Sequence, residues 1–80
     1  MANAKKFKLF CFEVDSKDYD FPVTNVIEAQ KLINRGYQLY AFGRVNGSEN
    51  TTRTSRVKEI LHINPIHIIT QNSDYVLANN

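Results

Sequence analysis

The stretch NVIEAQKLINRGY, Asn25–Tyr37, carries a complete helix signal at both ends. Asn25 is a strong N-cap residue, and Glu28 stands three positions later, where its carboxylate can reach back to the cap's own N–H. Gly36 stands where the left-handed C′ residue of a Schellman ending is expected. The apolar residues between these ends recur at helical spacing and are Val26, Ala29, Leu32 and Ile33. The segment therefore predicts one amphipathic helix, Val26 to Arg35.

Two strands are predicted on the N-terminal side of this helix. Phe7 to Val14 alternates like a strand, and both of its faces are largely apolar, which predicts a central strand covered in part on each side. After a turn-rich acidic cluster, Tyr19 to Val23 can return antiparallel. Pro22 cannot donate to a ladder, so we expect this second strand at a sheet edge.

The helix leads into a third predicted strand, Tyr37 to Val45, and then into a turn. Gly43 within the strand indicates a bulge or a close backbone approach. The pair Asn46-Gly47 is the strongest short hairpin signal in the chain. Since Ser48 to Ser55 is polar throughout, a longer loop fits as well as a tight hairpin.

The C-terminal part contains one ambiguous segment and one strand. Arg56 to Ile63 fits either a strand or a short helix, and its adjacent apolar residues slightly favour the helix. Ile66 to Gln71 predicts the last strand after a break at Asn64-Pro65. Together the elements predict an α+β fold, with a small, mostly antiparallel sheet of about four strands and the helix packed on a face.

Length and composition indicate one small domain, 1–80, whose ends, 1–6 and 78–80, we expect to be flexible. The formal net charge of +2 is too small to imply a nucleic-acid partner by itself. The lone cysteine, Cys11, lies in an apolar run, which predicts a buried thiol in a reducing, cytoplasmic compartment. The abundance of Asn, Ile and Lys suggests an AT-rich coding sequence, as in a low-GC bacterium or one of its phages or mobile elements.

A basic segment between Arg44 and Lys58 is the strongest candidate for a binding site. Its cations alternate with hydroxyl and amide side chains, and two aromatic residues on the adjoining strand offer stacking surfaces. Such a composition suits phosphate contacts or the acidic surface of a partner protein. The alternative is an ordinary solvated hairpin. The candidate binding residues are Tyr40, Phe42, Arg44, Arg53, Arg56 and Lys58.

Four acidic residues surround the first predicted turn, and they are Glu13, Asp15, Asp18 and Asp20. They lack the glycine and the distal glutamate of a calcium loop, so we interpret them as turn-forming residues. They leave one end of the domain acidic and the hairpin end basic. This polarity suits head-to-tail contacts or orientation on a charged partner.

Two histidines, His62 and His67, flank the Asn64-Pro65 break. With Arg56 they could act as acid, base and phosphate clamp in a nuclease, but two imidazoles alone make a poor zinc site. The sequence holds no nucleophile motif, phosphate loop or dinucleotide fingerprint. We therefore expect no enzyme, no catalytic residues, no cofactor and no metal.

Three functional hypotheses follow, in order of preference. The first is a non-enzymatic cytoplasmic interaction module that binds a larger protein partner as an inhibitor or accessory subunit. We expect it not to bind a membrane. The second is a small nucleic-acid binder that uses the same basic segment, and the distant third is a histidine-dependent nuclease. A homodimer is also open, because a strand that is apolar on both faces needs more cover than one helix gives.

Overall fold

Five strands close into a barrel in chain order within the part of the chain that the computed structural model describes, residues 4–78. The elements are β1 (Lys5–Val14), α1 (Val26–Asn34), β2 (Leu39–Val45), β3 (Thr52–Leu61), β4 (His67–Thr70) and β5 (Asp74–Leu77). Each strand pairs antiparallel with the next along the chain. Because the number of strands is odd, the closing pair of β1 and β5 is parallel.

The predicted fold class is confirmed in its coarse form, since residues 4–78 form a small α+β structure with one helix and a mostly antiparallel sheet. This part of the chain has five strands, where about four were expected. The chain from Tyr75 to Leu77, which follows the last predicted strand, forms most of β5 and closes the barrel. The helix packs mainly against β3, and its Ala29 and Leu32 join the buried cluster of the barrel.

The N-terminal cap of α1 is confirmed. Asn25 Oδ1 accepts hydrogen bonds from the backbone N–H groups of Ile27 and Glu28, at 2.7 and 3.2 Å. These two bonds satisfy donors that have no partner inside the helix. The Glu28 carboxylate accepts from the Tyr19 hydroxyl at 2.7 Å, in place of the expected bond from the cap's own N–H. This bond ties the β1–α1 connection to the helix.

The C-terminal end of α1 has the predicted Schellman geometry. Gly36 has a φ of +95°, and its N–H donates to the carbonyl of Ile33 at 3.0 Å. The N–H of Tyr37 donates to the carbonyl of Leu32, also at 3.0 Å. The helix stops one residue before the predicted end, because Arg35 serves as the C-cap.

A β-bulge in β1 leaves the outer face of this strand largely exposed, whereas partial cover was predicted for both faces. The pairing of β1 with β2 shifts register between Leu9 and Cys11. Phe7 and Leu9 face the core before the shift, and Phe12 faces it afterwards, while Phe10 is 39% exposed. The extra residue explains why strict alternation placed apolar side chains on both faces. The sequence-based reason for a homodimer therefore no longer holds.

Two further segments differ from their predictions. The second predicted strand, Tyr19 to Val23, is reduced to a single bridge in which Val23 exchanges two backbone hydrogen bonds with Phe12, of 2.6 and 2.9 Å. Arg56 to Ile63 does not form a helix, because most of it lies in β3. The register shift of β3 between Val57 and Glu59 produces the spacing of buried residues that resembled a helix.

The close backbone approach predicted at Gly43 is confirmed. A Cβ atom at this position would collide with the Lys8 carbonyl oxygen and would lie 2.9 Å from the Phe7 ring. Glycine is therefore required here by space. Gly47, in the turn of the same hairpin, has open space around it but a φ of +78°. Glycine is favoured there because other residues rarely adopt a positive φ.

The predicted flexible ends are only partly covered by the described residues. Lys5 and Lys6 belong to β1 and pair with β5, and the flexibility of the two ends stays a prediction. Residues 1–3 and 79–80 lie outside the described part of the chain. Within residues 4–78, no helix has the length and apolar character needed to cross a membrane.

Candidate functional site

The outward side of the β1–β2–β3 sheet carries most of the predicted binding residues. Alternation along β2 buries Leu39 and Ala41 and turns the residues between and after them outward. The neighbouring strands add one arginine and the exposed phenylalanine of the bulge. We call this surface the aromatic–arginine face, and its residues are Phe10, Tyr40, Phe42, Arg44 and Arg53.

Arg53 contacts both an aromatic ring and a carboxylate on this face. Its guanidinium carbon lies 4.0 Å from the centre of the Tyr40 ring, and its Nε donates to Glu13 Oε1 at 2.8 Å. The two ionic side chains are 53% and 46% exposed, so the ion pair adds little to stability. Ring and carboxylate together fix an arginine that remains accessible to a partner.

The bulge brings a second arginine–aromatic pair to the face. The Arg44 guanidinium carbon lies 5.6 Å from the centre of the Phe10 ring. Lys8 is directly opposite Arg44 in the β1–β2 register, and both side chains are exposed. Together with Lys6 they line a cleft of about 240 Å³ beside the hairpin turn. We call Lys6, Lys8 and Arg44 the basic end of the face.

A groove of about 470 Å³ borders the other end of the face. Its apolar lining comes from both sides of β1 and includes Cys11, Phe42 and Phe21, of which Phe21 is 71% exposed. Its charged lining consists of Arg53 and three carboxylates. We call these carboxylates the acidic end of the face, and they are Glu13, Asp15 and Asp20.

Cys11 lies in this groove, partly exposed and not fully buried as predicted. Partial burial raises the pKa of the thiol above its ordinary value, and the negative charge of Glu13 raises it further. Both effects disfavour the thiolate, which is the nucleophilic form. The groove therefore holds a thiol of low reactivity.

The structure brings four of the six predicted binding residues together on the face, and they are Tyr40, Phe42, Arg44 and Arg53. Arg56 lies at its border, since it is opposite Tyr40 in the β2–β3 register. Lys58 lies farther along β3, beside a cleft shared with the end of α1, and is not part of the face.

Sequence reasoning did not assign five contributors to this site. Glu13, interpreted from the sequence as a turn-forming residue, and Phe21 reach it through tertiary contacts, and Phe10 reaches it through the bulge. The basic end also draws on Lys6 and Lys8, which precede the segment singled out from the sequence. Only the alternating pattern of β1 could have indicated Lys6 and Lys8, because both fall at outward positions before the bulge.

The two histidines have separate partners. His62 Nε2 lies 3.1 Å from Gln30 Oε1 on α1, and His67 Nδ1 lies 3.1 Å from the Pro65 carbonyl oxygen. Within the described residues, no hydrogen bond or ion pair joins either ring to Arg56. The same part of the chain contains no group of three or more His, Cys, Asp and Glu residues that could hold a metal ion.

In comparisons with protein-family models, curated proteins and solved structures, no family, protein or structure matches this chain. Its function is therefore argued from the geometry and chemistry of its own surface.

Proposed function

We propose that this protein is a small non-enzymatic interaction module that binds a larger protein through the aromatic–arginine face. The observation that carries the proposal is Arg53, accessible but held between the Tyr40 ring and the Glu13 carboxylate. Arginine and tyrosine are enriched among the residues that contribute most to binding at protein interfaces. An arginine that is already ordered loses less conformational entropy when a partner binds.

The closed barrel favours recognition by side chains. A protein with an open sheet edge can bind a partner by adding a strand, whereas the closure of the barrel within residues 4–78 leaves little edge for such a strand. The aromatic rings beside the arginines, the exposed Phe10 and the partly buried Phe42, supply the apolar part of a contact. We propose that the protein acts in the cytoplasm as an inhibitor or accessory subunit of its partner.

Binding to nucleic acid is the second candidate, and the basic end favours it. Lys6, Lys8 and Arg44 lie next to the Phe10 ring, and cations beside an aromatic surface suit single-stranded nucleic acid. The acidic end argues against this candidate, because its carboxylates repel phosphate along the same face. Arg53 is also neutralised by Glu13. A protein partner therefore remains the preferred proposal.

The test is capture of a partner followed by titration of the purified complex. The tagged chain is incubated with lysate of its native host, with and without nuclease, and a bound protein that survives nuclease is purified and titrated by calorimetry. We expect Arg53→Ala to weaken this binding at least about tenfold. The matched control is Lys31→Ala on α1, away from the face, which should bind like the unmodified chain.

Two outcomes would overturn the proposal. Capture that disappears after nuclease treatment would move nucleic acid to first place, and affinity should then fall steeply as salt concentration rises. Equal binding by the Arg53→Ala and Lys31→Ala variants would place the contact elsewhere on the molecule.

A further inference from the structure

The charge of the aromatic–arginine face is polarised along the strands. The basic end lies where β1 begins and β2 ends, and the acidic end lies where β1 ends and the chain turns towards α1. Apolar side chains lie between the two ends, with Phe10 on one side and Phe42 on the other. The surface is thus a strip with a positive end, an apolar middle and a negative end.

The basic end lacks a counter-charge of its own. Lys8 and Arg44 are directly opposite each other on adjacent strands, an arrangement in which like charges destabilise a sheet. Among residues 4–78, the one ion pair joins Arg53 and Glu13, so neither Lys8 nor Arg44 has a carboxylate partner. An anionic group placed over this end would remove the repulsion.

The acidic end is complementary to the basic end in charge. Asp15 and Asp20 are exposed and form no ion pair within the described residues. They border a groove whose apolar lining includes Phe21, the most exposed of the large hydrophobic side chains in residues 4–78. A cation with an apolar stem, such as lysine or arginine, fits this combination of carboxylates and rings.

We propose that two copies of this chain dock face to face through the aromatic–arginine face, about a two-fold axis through its apolar middle. When this axis lies in the interface and is perpendicular to the strip, it places the basic end of each copy on the acidic end of the other, so both charge contacts form at once. The accessible parts of the Phe10 and Phe42 rings become buried between the copies. Only the biological consequence rests on the proposed function: the dimer covers the partner-binding surface, so self-association and partner binding compete.

Sedimentation velocity on the purified chain, over a range of concentrations, tests the dimer without any partner. We expect a monomer–dimer equilibrium at about 0.02 M ionic strength and at least tenfold weaker association at about 1 M, where charges are screened within a few ångströms. A chain that stays monomeric at low salt would overturn the dimer and leave the proposed function standing. Growth beyond a dimer would indicate an open head-to-tail contact and overturn the two-fold axis.

A charge exchange makes the test independent of folding defects. The variant Lys8→Glu/Arg44→Glu carries a face acidic at both ends, and Asp15→Lys/Asp20→Lys carries one basic at both ends. Each alone should be monomeric, and an equal mixture should restore a 1:1 dimer, because both contacts are again complementary. A mixture that remains monomeric, with circular dichroism unchanged in both variants, would overturn the proposal.

The matched control places the same changes in charge outside the face. Lys31→Glu/Lys58→Glu and Glu59→Lys/Asp74→Lys alter α1, β3 and β5. Each of these variants should dimerise alone as the unmodified chain does. Loss of the dimer in these variants as well would show that net charge, and not the polarity of the face, governs association.

Discussion

The inner and outer sides of the β1–β2 pair are built on different physical principles. Inside, Phe7 and Phe12 are fully buried, and Gly43 leaves no room for a methyl group against the neighbouring strand. Outside, Phe10 and Arg44 form an open pair at 5.6 Å. The same two strands thus present a surface determined by close packing and a surface determined by charge and exposed rings.

The energies of the two sides differ accordingly. Burying a large apolar side chain contributes about 1.5–3 kcal/mol, whereas an exposed ion pair or cation–π contact contributes about 1 kcal/mol or less. The total stability of a chain this short is about 4–12 kcal/mol. Changes on the inner side therefore threaten the fold, while the outer side can be altered at little cost and is available for recognition.

The largest expected effect is a difference in stability between alanine substitutions at Phe10 and Phe12, the two phenylalanines that flank Cys11. Phe12→Ala should lower the free energy of unfolding by about 3–5 kcal/mol, because it empties a fully buried site. Phe10→Ala should lower it by less than about 1 kcal/mol, because that ring is partly exposed and lies over Arg44. Urea denaturation of both variants measures the difference. Equal losses would mean that the bulge does not separate the two rings in solution.

The next effect concerns the two glycines of the β2–β3 hairpin. Gly43→Ala should destabilise the protein by about 3 kcal/mol, because a Cβ atom would collide with the backbone of β1 at Lys8. Gly47→Ala is the matched control, with open space but a positive φ, and should lower stability by about 1–2 kcal/mol. Thermal unfolding followed by circular dichroism distinguishes them. If Gly43→Ala lowered stability less than Gly47→Ala, the strands on the inner side would be able to move apart more easily than their close packing indicates.

Bulges also explain which parts of the fold the sequence predicts. The ends of α1 are determined locally, since Asn25 and Gly36 act on backbone groups a few residues away. Both the cap at Asn25 and the Gly36 ending were predicted correctly. A bulge depends on the partner strand, so the register shifts at Cys11 and Val57 could not be deduced from alternation. The first shift produced the apparent two-sided strand, and the second favoured a helix where β3 lies.

The candidate site divides along the same line. Tyr40, Phe42 and Arg44 were predictable as one surface, because they are alternate residues of a single strand. The contact of Arg53 with Glu13 joins positions 40 residues apart and depends on how three strands pair. An acidic and a basic end were predicted, but the basic end was expected in the segment from Arg44 to Lys58, whereas it consists of Lys6, Lys8 and Arg44. The continuous face that joins the two ends was not predicted.

A smaller effect on stability is expected at Arg53 on the outer side. Arg53→Ala removes an exposed ion pair and a cation–π contact, so the free energy of unfolding should fall by less than about 1 kcal/mol. Glu13→Gln, which leaves the stacked arginine in place, should change stability even less. Urea denaturation checks both values. A loss above about 2 kcal/mol would mean that the outer side also maintains the fold.

The smallest effect is a shift in the titration of Cys11, which lies on the outer side between the two phenylalanines. Its pKa is raised by partial burial and then by Glu13, so the folded chain keeps the thiol protonated to a higher pH than the unfolded chain does. The resulting contribution to stability is present below the unfolded pKa and is lost as pH rises through the folded pKa. Only the thiolate reacts with iodoacetamide, so the rate of alkylation reports the titration directly.

The midpoint of this alkylation profile should therefore lie at higher pH in the native protein than in urea. Glu13→Gln should move the native midpoint only part of the way back, because burial is the larger cause. Asp20→Asn, which alters another carboxylate of the same groove, is the control and should leave the midpoint unchanged. Equal midpoints in native and unfolded protein would mean that Cys11 is fully solvated, and that the outer side lacks the apolar groove on which recognition depends.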